Sequence, residues 1–167
     1  ETLGSIVSPC VVCGTSGLRP TFGRVPRTGA LALTRTMDKL GVIARGVDDL
    51  AFVLSAIAGP DGHDPTCHEA PFNWTGPDIG GLRVGYDATA FEAVGRMNNE
   101  PVKNLYADAL DTCRVLFGEL KAIELPRDRL ATPCAMATIE VEGAESFSEL
   151  IDAGDMQHLV QQDDWNW

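Results

Sequence analysis

A serine near the start of the chain stands in a setting that suits nucleophilic chemistry. Ser5 follows Gly4 in a tight loop, and Pro9 comes soon afterwards, where it suits the first turn of a short helix. At such a junction, backbone N–H groups can stabilise an oxyanion, and a neighbouring glycine lets a substrate carbonyl approach the main chain closely. The same pattern is also typical of a simple helix N-cap. Taken alone, it therefore predicts either a nucleophile or a cap.

Cysteine and histidine residues could support metal binding or thiol redox chemistry. Cys10 and Cys13 form a C-x-x-C motif. A second pair of ligands could come only from His63, Cys67 and His68, which lie in a loop rich in Gly, Pro and Asp, whereas tetrahedral zinc needs four converging ligands. The five cysteines are an odd number without the spacing of a secreted disulfide framework. We therefore expect small buried thiols in a reducing cytoplasm, with no metal and no cofactor.

Composition and charge exclude several other classes of protein. The chain has 167 residues, of which 44% are hydrophobic and 22% charged, and its net charge is −11, which is typical of a globular protein. No apolar run approaches the roughly 20 residues that cross a bilayer, so we expect a cytoplasmic protein without a membrane partner. Residues 1–46 hold six basic and two acidic residues, a net charge of +4, and the remainder carries −15. The basic residues stand singly, so the pattern does not indicate a nucleic-acid surface.

The elements that must hold Ser5 in place alternate between strands and helices. Residues 41–45 predict a buried strand, and a helix follows over residues 47–58 with Asp48 and Asp49 in its first turn. Further along, the hydrophobic patterns predict a strand, a helix opened by a proline, a second strand and a third helix, over residues 82–86, 101–120, 121–125 and 133–153. This order predicts an α/β fold around a mostly covered sheet.

An ordered series of motifs in the first part of the chain resembles the amidase signature family. The series contains E-T-L-G-S-I, G-L-R-P-T-F-G-R-V, M-D-K-L-G and I-A-G-P-D-G, beginning at residues 1, 17, 37 and 57. That family includes amidases and the glutamyl-tRNA amidotransferase subunit of the A type. The resemblance implies part of the amidase signature fold, a mixed β-sheet covered by helices and incomplete at both ends. It implies one partial domain over residues 1–167, with the signature core in residues 1–66 and later strand and helix segments in residues 82–167.

The resemblance also assigns roles to the residues around the serine. Ser5 matches the family's nucleophile, and the oxyanion-hole amides would come from Thr2, Leu3, Gly4 and Ser5. In the family, a lysine and a second serine held by a cis peptide activate the nucleophile, and both lie upstream of it. They would precede Glu1 here, and Lys39 does not occupy a matching position. We therefore expect the chain to begin inside a longer polypeptide and to have no amidase activity by itself.

Two residues depart from the family pattern close to the nucleophile. Leu3 stands where the family usually has glycine, and Val7 stands where arginine is common. A leucine still supplies an amide donor, but a positive φ at that position would be strained. Asp38 and Arg45 also match family positions, and we expect them to be structural ion-pair or hydrogen-bond partners.

Glu140 and Glu142 raise the alternative of a paired-carboxylate site. Residues two apart lie on different sides of a helix, so we expect these side chains to lie on a solvated face.

The resemblance implies an amidase-type hydrolase that cleaves carboxamide C–N bonds through a serine acyl-enzyme. Two alternatives stay open. One is the A-type subunit of a glutamyl-tRNA amidotransferase, and the other is a non-catalytic scaffold or binding protein that retains the fold. The implied partner is a small-molecule amide substrate. Nucleic acid would enter only through a tRNA amidotransferase complex, and a homo-oligomer stays open.

Overall fold

The computed structural model describes residues 1–74, 76, 81–126 and 128–160. Within these residues the chain forms two compact units. The first combines residues 1–74 with 129–160, and the second lies between them, in residues 76–128. The expectation of one partial domain over residues 1–167 extends into residues 161–167, which lie outside the described part, and it stays a prediction.

The first unit contains a small antiparallel sheet flanked by two helices. Its elements in chain order are α1 (Val7–Cys13), β1 (Ser16–Leu18), β2 (Val42–Ala44) and α2 (Val47–Ile57). Strands β1 and β2 pair with Leu18 opposite Val42. The core under this sheet holds Val25, Val42, Leu50 and Leu54. The predicted strand and helix are confirmed here, although Ile43 is exposed, so β2 is buried on one face only.

Helix α1 lies directly on β1 because residue 17 has no side chain. A Cβ on Gly17 would lie 2.5 Å from the Cys10 Sγ and 2.9 Å from the Ile6 Cγ2. Such distances are too short for real side chains, so the glycine sets how closely α1 approaches the sheet. This contact fixes the start of α1, and with it the residues that precede the helix.

The last described part of the first unit is helical. A 16-residue helix, α5 (Ala131–Ser146), is followed by the short helix α6 (Ser148–Asp152) and a 3-10 turn (Asp155–His158). The single helix predicted over residues 133–153 therefore divides at Phe147, which does not continue the helical conformation.

Helix α5 holds a turn of the first unit, residues 33–39, which we call the Thr34 turn. The main-chain N–H of Thr36 donates to Glu142 Oε2 at 3.1 Å, and the Thr36 hydroxyl donates to Oε1 at 2.7 Å. Glu142 thus binds Thr36 across 106 residues of sequence through surface contacts, which the sequence does not predict. Glu140 is exposed, as expected.

The second unit is a strand, two helices and a strand that pairs in parallel with the first. In chain order these are β3 (Val84–Asp87), α3 (Ala88–Gly95), α4 (Glu100–Phe117) and β4 (Leu120–Ile123). Asp87 caps α3 by accepting from the Thr89 and Ala90 amides, and Asn99 caps α4. The predicted strands and the helix after Pro101 are confirmed, and α3 is additional to them.

These elements confirm the α/β class. Within the described ranges, the strands form two two-stranded sheets, one antiparallel and one parallel. No described helix combines the length and the apolarity needed to span a membrane.

The cysteines are free thiols. The expectation of buried thiols is wrong for Cys13 and Cys134, which are exposed, and the other three, Cys10, Cys67 and Cys113, are only partly buried. In the part of the chain that the structure covers, no three His, Cys, Asp or Glu side chains converge as metal ligands would.

Candidate active site

Ser5 lies in the loop that leads into α1, and its residue is exposed. It lines a cavity of about 640 Å³ in the first unit, together with Thr2, Lys39, His63 and other residues of the same unit. This volume is in the range of small-molecule sites. The serine predicted from the sequence is therefore open to a ligand-sized space.

The main chain around Ser5 offers a run of free hydrogen-bond donors. We call residues 2–5 the Ser5 loop. The N–H groups of its four residues donate to no acceptor within the described part of the chain, whereas the next two amides, of Ile6 and Val7, are both occupied. The carbonyl of Gly4 accepts from Ser8 at 2.8 Å. Unpaired N–H groups beside a hydroxyl are the donors that an oxyanion hole requires.

Leu3 fits this loop without backbone strain. No described residue other than glycine has a positive φ, so the change from the family's usual glycine does not force leucine into the left-handed region. Its side chain is 48% exposed. The departure at position 3 therefore adds an apolar side chain without disturbing the main chain that carries the donor.

The carboxylate of Glu1 occupies the two amides that follow Ser5. Its Oε2 accepts from Ile6 N at 2.6 Å and from Val7 N at 3.2 Å, and its Oε1 pairs with Arg19 at 3.2 Å. Burial raises the pKa of Glu1, but these amides and the guanidinium lower it more, so the pKa lies below its usual value. Glu1 thus fixes the start of α1 and leaves the Ser5 loop amides unpaired.

Asp38 joins the Ser5 loop to the Thr34 turn. Its Oδ1 accepts from the Thr2 hydroxyl at 2.5 Å and from the Thr34 hydroxyl at 3.2 Å. Its Oδ2 accepts from the amides of Leu33 and Thr34 at 2.8 and 3.0 Å. Burial raises the pKa of Asp38, and the hydrogen bonds from Thr2, Leu33 and Thr34 outweigh it and hold the pKa below its usual value. The expected role as a hydrogen-bond partner is confirmed.

The sequence also predicts that Arg45 is a structural ion-pair or hydrogen-bond partner. Its side chain is exposed and makes no hydrogen bond or ion pair within the described residues.

Lys39 lines the same cavity as Ser5, and its Nζ donates to the main-chain oxygens of Thr2 and Met37. The Ser5 hydroxyl itself has no hydrogen-bond partner in the described residues, so the structure does not bring Lys39 to it.

Arg27 ties together three segments of the cavity wall. Its Nε pairs with Asp64 at 3.3 Å, its Nη1 donates to the Arg35 carbonyl at 2.6 Å, and its Nη2 donates to Thr66 at 3.1 Å. The Arg27 and Asp64 side chains are only 17% and 7% exposed, and a buried charge needs such partners.

Neither Arg27 nor Asp64 was predicted from the sequence as part of the site. A signal was available for Asp64. Its carboxylate accepts from the amide and the hydroxyl of Thr66, two residues later, which is the Asx-turn pattern of an Asp followed by a threonine. No local pattern marks Arg27, whose partners lie up to 39 residues away.

We expect the acid stability of the protein to depend on Asp61, whose carboxylate accepts from the Asp64 amide at 2.9 Å. Hydrogen bonds from the Thr28 side chain and from the Asp64 and His63 amides lower the pKa of Asp61 to about 2, from an ordinary value of 3.8. A depressed pKa means that the stabilisation is complete above the unfolded value and is lost as the pH falls through the folded one. The melting temperature of D61N should therefore fall less than that of the wild type between about pH 4 and 2.

The control is E140Q, which removes an exposed carboxylate and should follow the wild-type curve. Parallel curves for D61N and wild type over this interval would contradict the assignment.

Comparisons with known proteins agree with the motifs. The family model described as Amidase matches residues 1–166. The glutamyl-tRNA(Gln) amidotransferase A-type subunit of Roseiflexus sp. (strain RS-1) is 40% identical over 138 residues, covering 80% of this chain and 28% of that protein. The same protein from Prochlorococcus marinus (strain MIT 9215) is 36% identical over 146 residues, covering 84% and 30%. The chain thus spans less than a third of the length of these curated relatives.

Solved structures give the same result for the fold. An amidase family protein from Bacillus anthracis str. Ames superposes with a TM-score of 0.69 at 28% identity, covering 91% of this chain and 30% of that one. The glutamyl-tRNA(Gln) amidotransferase A-type subunit of Thermotoga maritima superposes with a TM-score of 0.75, covering 94% and 36%. At 22% identity, this second likeness concerns the fold alone.

Proposed function

The chain belongs to the amidase family, and from this premise we propose that it carries the nucleophile and the oxyanion hole of an amidase-type hydrolase. The observation that carries the proposal is the run of unpaired N–H groups in residues 2–5, beside the Ser5 hydroxyl and at a cavity of about 640 Å³. The substrate class is a small carboxamide, because the resemblance to the family extends to the residues that form this loop.

In the proposed reaction, the Ser5 Oγ attacks the carbonyl carbon of the amide while its proton passes to a base. The carbonyl oxygen becomes an oxyanion, which accepts hydrogen bonds from the amides of Thr2, Leu3, Gly4 and Ser5. The C–N bond then breaks, and the nitrogen takes a proton and leaves as ammonia or an amine. Water hydrolyses the resulting ester, which returns the carboxylic acid and the free serine.

We propose that the base is the family's lysine, acting through the cis-peptide serine, and that a longer polypeptide supplies both before Glu1. Two observations support this. The chain covers less than a third of its curated relatives, and the Ser5 hydroxyl meets no base among the described residues. A lysine can act in this way where its surroundings depress its pKa. The 167 residues alone should then be inactive.

The named relatives favour one second candidate, an A-type subunit of a tRNA amidotransferase. In that case ammonia released at Ser5 would pass to partner proteins. The two candidates differ in one respect: a free amidase hydrolyses amides without partner proteins. A non-catalytic scaffold would neither hydrolyse amides nor supply ammonia to partners.

The test is covalent labelling of the longer protein with a serine-directed fluorophosphonate. We expect one modified residue, Ser5, found by mass spectrometry of the labelled peptide. The S8A variant removes a nearby exposed serine of α1 and should label as the wild type does. An active preparation in which Ser5 stays unmodified would disprove the nucleophile assignment.

A further inference from the structure

We propose that Asp38 is a positioning residue for the Ser5 reaction, holding the Ser5 loop against the Thr34 turn through the Thr2 hydroxyl. This inference rests on the proposed function. It concerns a residue that touches neither the reacting serine nor the amides of the Ser5 loop, and so acts through another side chain.

The carboxylate of Asp38 is fixed by its own turn. Three of its four hydrogen bonds come from Leu33 and Thr34. Thr34 is completely buried, and its carbonyl accepts from the Asp38 amide at 3.1 Å. A side chain held at both oxygens by one turn keeps its orientation without help from the Ser5 loop. It is therefore a rigid support for whatever binds its remaining lone pair.

That remaining position receives the Thr2 hydroxyl at 2.5 Å, across 36 residues of sequence. The neighbouring Lys39 strengthens the same contact, because its amide donates to the Glu1 carbonyl at 2.9 Å and its Nζ donates to the Thr2 carbonyl at 3.5 Å. The carbonyls of Glu1 and Thr2 and the Thr2 hydroxyl are therefore all hydrogen-bonded to the Thr34 turn.

The N–H groups of the Ser5 loop take no part in this contact, so they stay free to donate to an oxyanion. Residues 2–5 lie outside any helix or strand, so no regular hydrogen-bond ladder orients their amides. An oxyanion hole works only when its donors are held within a fraction of an ångström of the productive position. Because the Thr2 hydroxyl is the side-chain anchor of this loop, we infer that Asp38 sets where the donors stand.

The decisive variant is T2V in the longer protein, since valine matches threonine in shape and lacks only the hydroxyl. It leaves the other three hydrogen bonds of Asp38 in place. We expect kcat for amide hydrolysis to fall about 100-fold while KM changes little. The rate of fluorophosphonate labelling at Ser5 should fall in parallel, and T2S, which restores a hydroxyl, should recover both rates.

The matched control is T36V. Thr36 lies in the same turn and donates its hydroxyl to a carboxylate, Glu142, at 2.7 Å, but it does not touch the Ser5 loop. A purely structural role predicts equal effects of T2V and T36V, on melting temperature and on rate alike. The proposal predicts that T36V keeps the wild-type kcat.

Several results would overturn the inference. Equal kcat values for T2V and T36V would do so, as would a T2S variant no faster than T2V, or a loss that lies wholly in KM. D38N should lower kcat at least as much as T2V, and if D38N does not fold, the Thr2 variants still decide. A wild type that neither hydrolyses amides nor labels at Ser5 would overturn this inference and the proposed function together. An active wild type with an unaffected T2V would overturn the inference alone.

Discussion

Replacing Ser5 with alanine is expected to lower kcat/KM for amide hydrolysis in the longer protein by about 10⁴-fold or more. Alanine removes the atom that forms the acyl-enzyme and leaves the loop amides in place. A residual rate should persist, because oxyanion stabilisation and substrate binding accelerate attack by water even without a nucleophile. The measurement is the steady-state release of ammonia or amine from a carboxamide substrate.

The structure makes this variant easy to interpret. Ser5 is exposed and its hydroxyl has no hydrogen-bond partner in the described residues, so S5A should keep the wild-type melting temperature. The matched control is S8A, three residues further along, which should keep the wild-type rate. A loss of less than tenfold in S5A would exclude Ser5 as the nucleophile.

The G23A variant is expected to destabilise the first unit strongly. Gly23 has a φ of +75°, and a Cβ there would lie 2.4 Å from the Thr66 carbonyl oxygen and 3.1 Å from the His68 Nδ1. The left-handed conformation alone costs alanine about 1–2 kcal/mol, and the forced shift of packed neighbours adds about 1–3 kcal/mol. The free energy of unfolding should therefore fall by about 2–5 kcal/mol.

Gly29 provides the control that separates these two contributions. Its φ is +81°, but nothing lies within 4 Å of the position that a Cβ would take. The G29A variant should thus lose only the conformational part, about 1–2 kcal/mol. Chemical denaturation of both variants measures the difference. Equal denaturation midpoints for G23A and G29A would contradict a steric contribution from the Thr66 carbonyl at residue 23.

Elements whose signals lie close together in the sequence were predictable. Helix α2 has acidic residues in its first turn, an apolar face at helical spacing and Gly59 with Pro60 after its end, and all three signals agree. Helix α3 was missed because it has only eight residues, too few for a clear period. The long third helix was wrong at Phe147, where no glycine or proline marks the break.

In the candidate site, too, the residues close together in sequence were predictable and the contacts between distant residues were not. Ser5 and the amides before it are consecutive in the chain, and the ordered series of motifs in residues 1–62 is enough to single them out. The contacts around them join residues distant in sequence. Thr2 and Asp38, which anchor the loop, are 36 residues apart, and Thr36 and Glu142, which join the Thr34 turn to α5 without touching the loop, are 106 apart. A single sequence carries no pattern that pairs such positions. The contact of Glu142 and the several bonds of Arg27 could therefore not be predicted.

The cysteines show the limit of composition as a guide. Small thiols are most often buried, but Cys10, which packs against Gly17, is only partly buried. Cys13 and Cys134 face solvent instead. Each lies on a helix, α1 or α5, and the face of the helix, rather than the residue type, decides exposure.

The several bonds of the Arg27 guanidinium have a practical consequence for anyone who wishes to re-engineer this cavity. One side chain joins the carbonyl of Arg35, the carboxylate of Asp64 and the hydroxyl of Thr66. Neither residues 64–66 nor the stretch of Arg35 can be exchanged for a homologue's apart from Arg27, because an exchange that loses an acceptor leaves the guanidinium with an unpaired N–H group. Loop transplantation here has to move the arginine and its acceptors as one cassette.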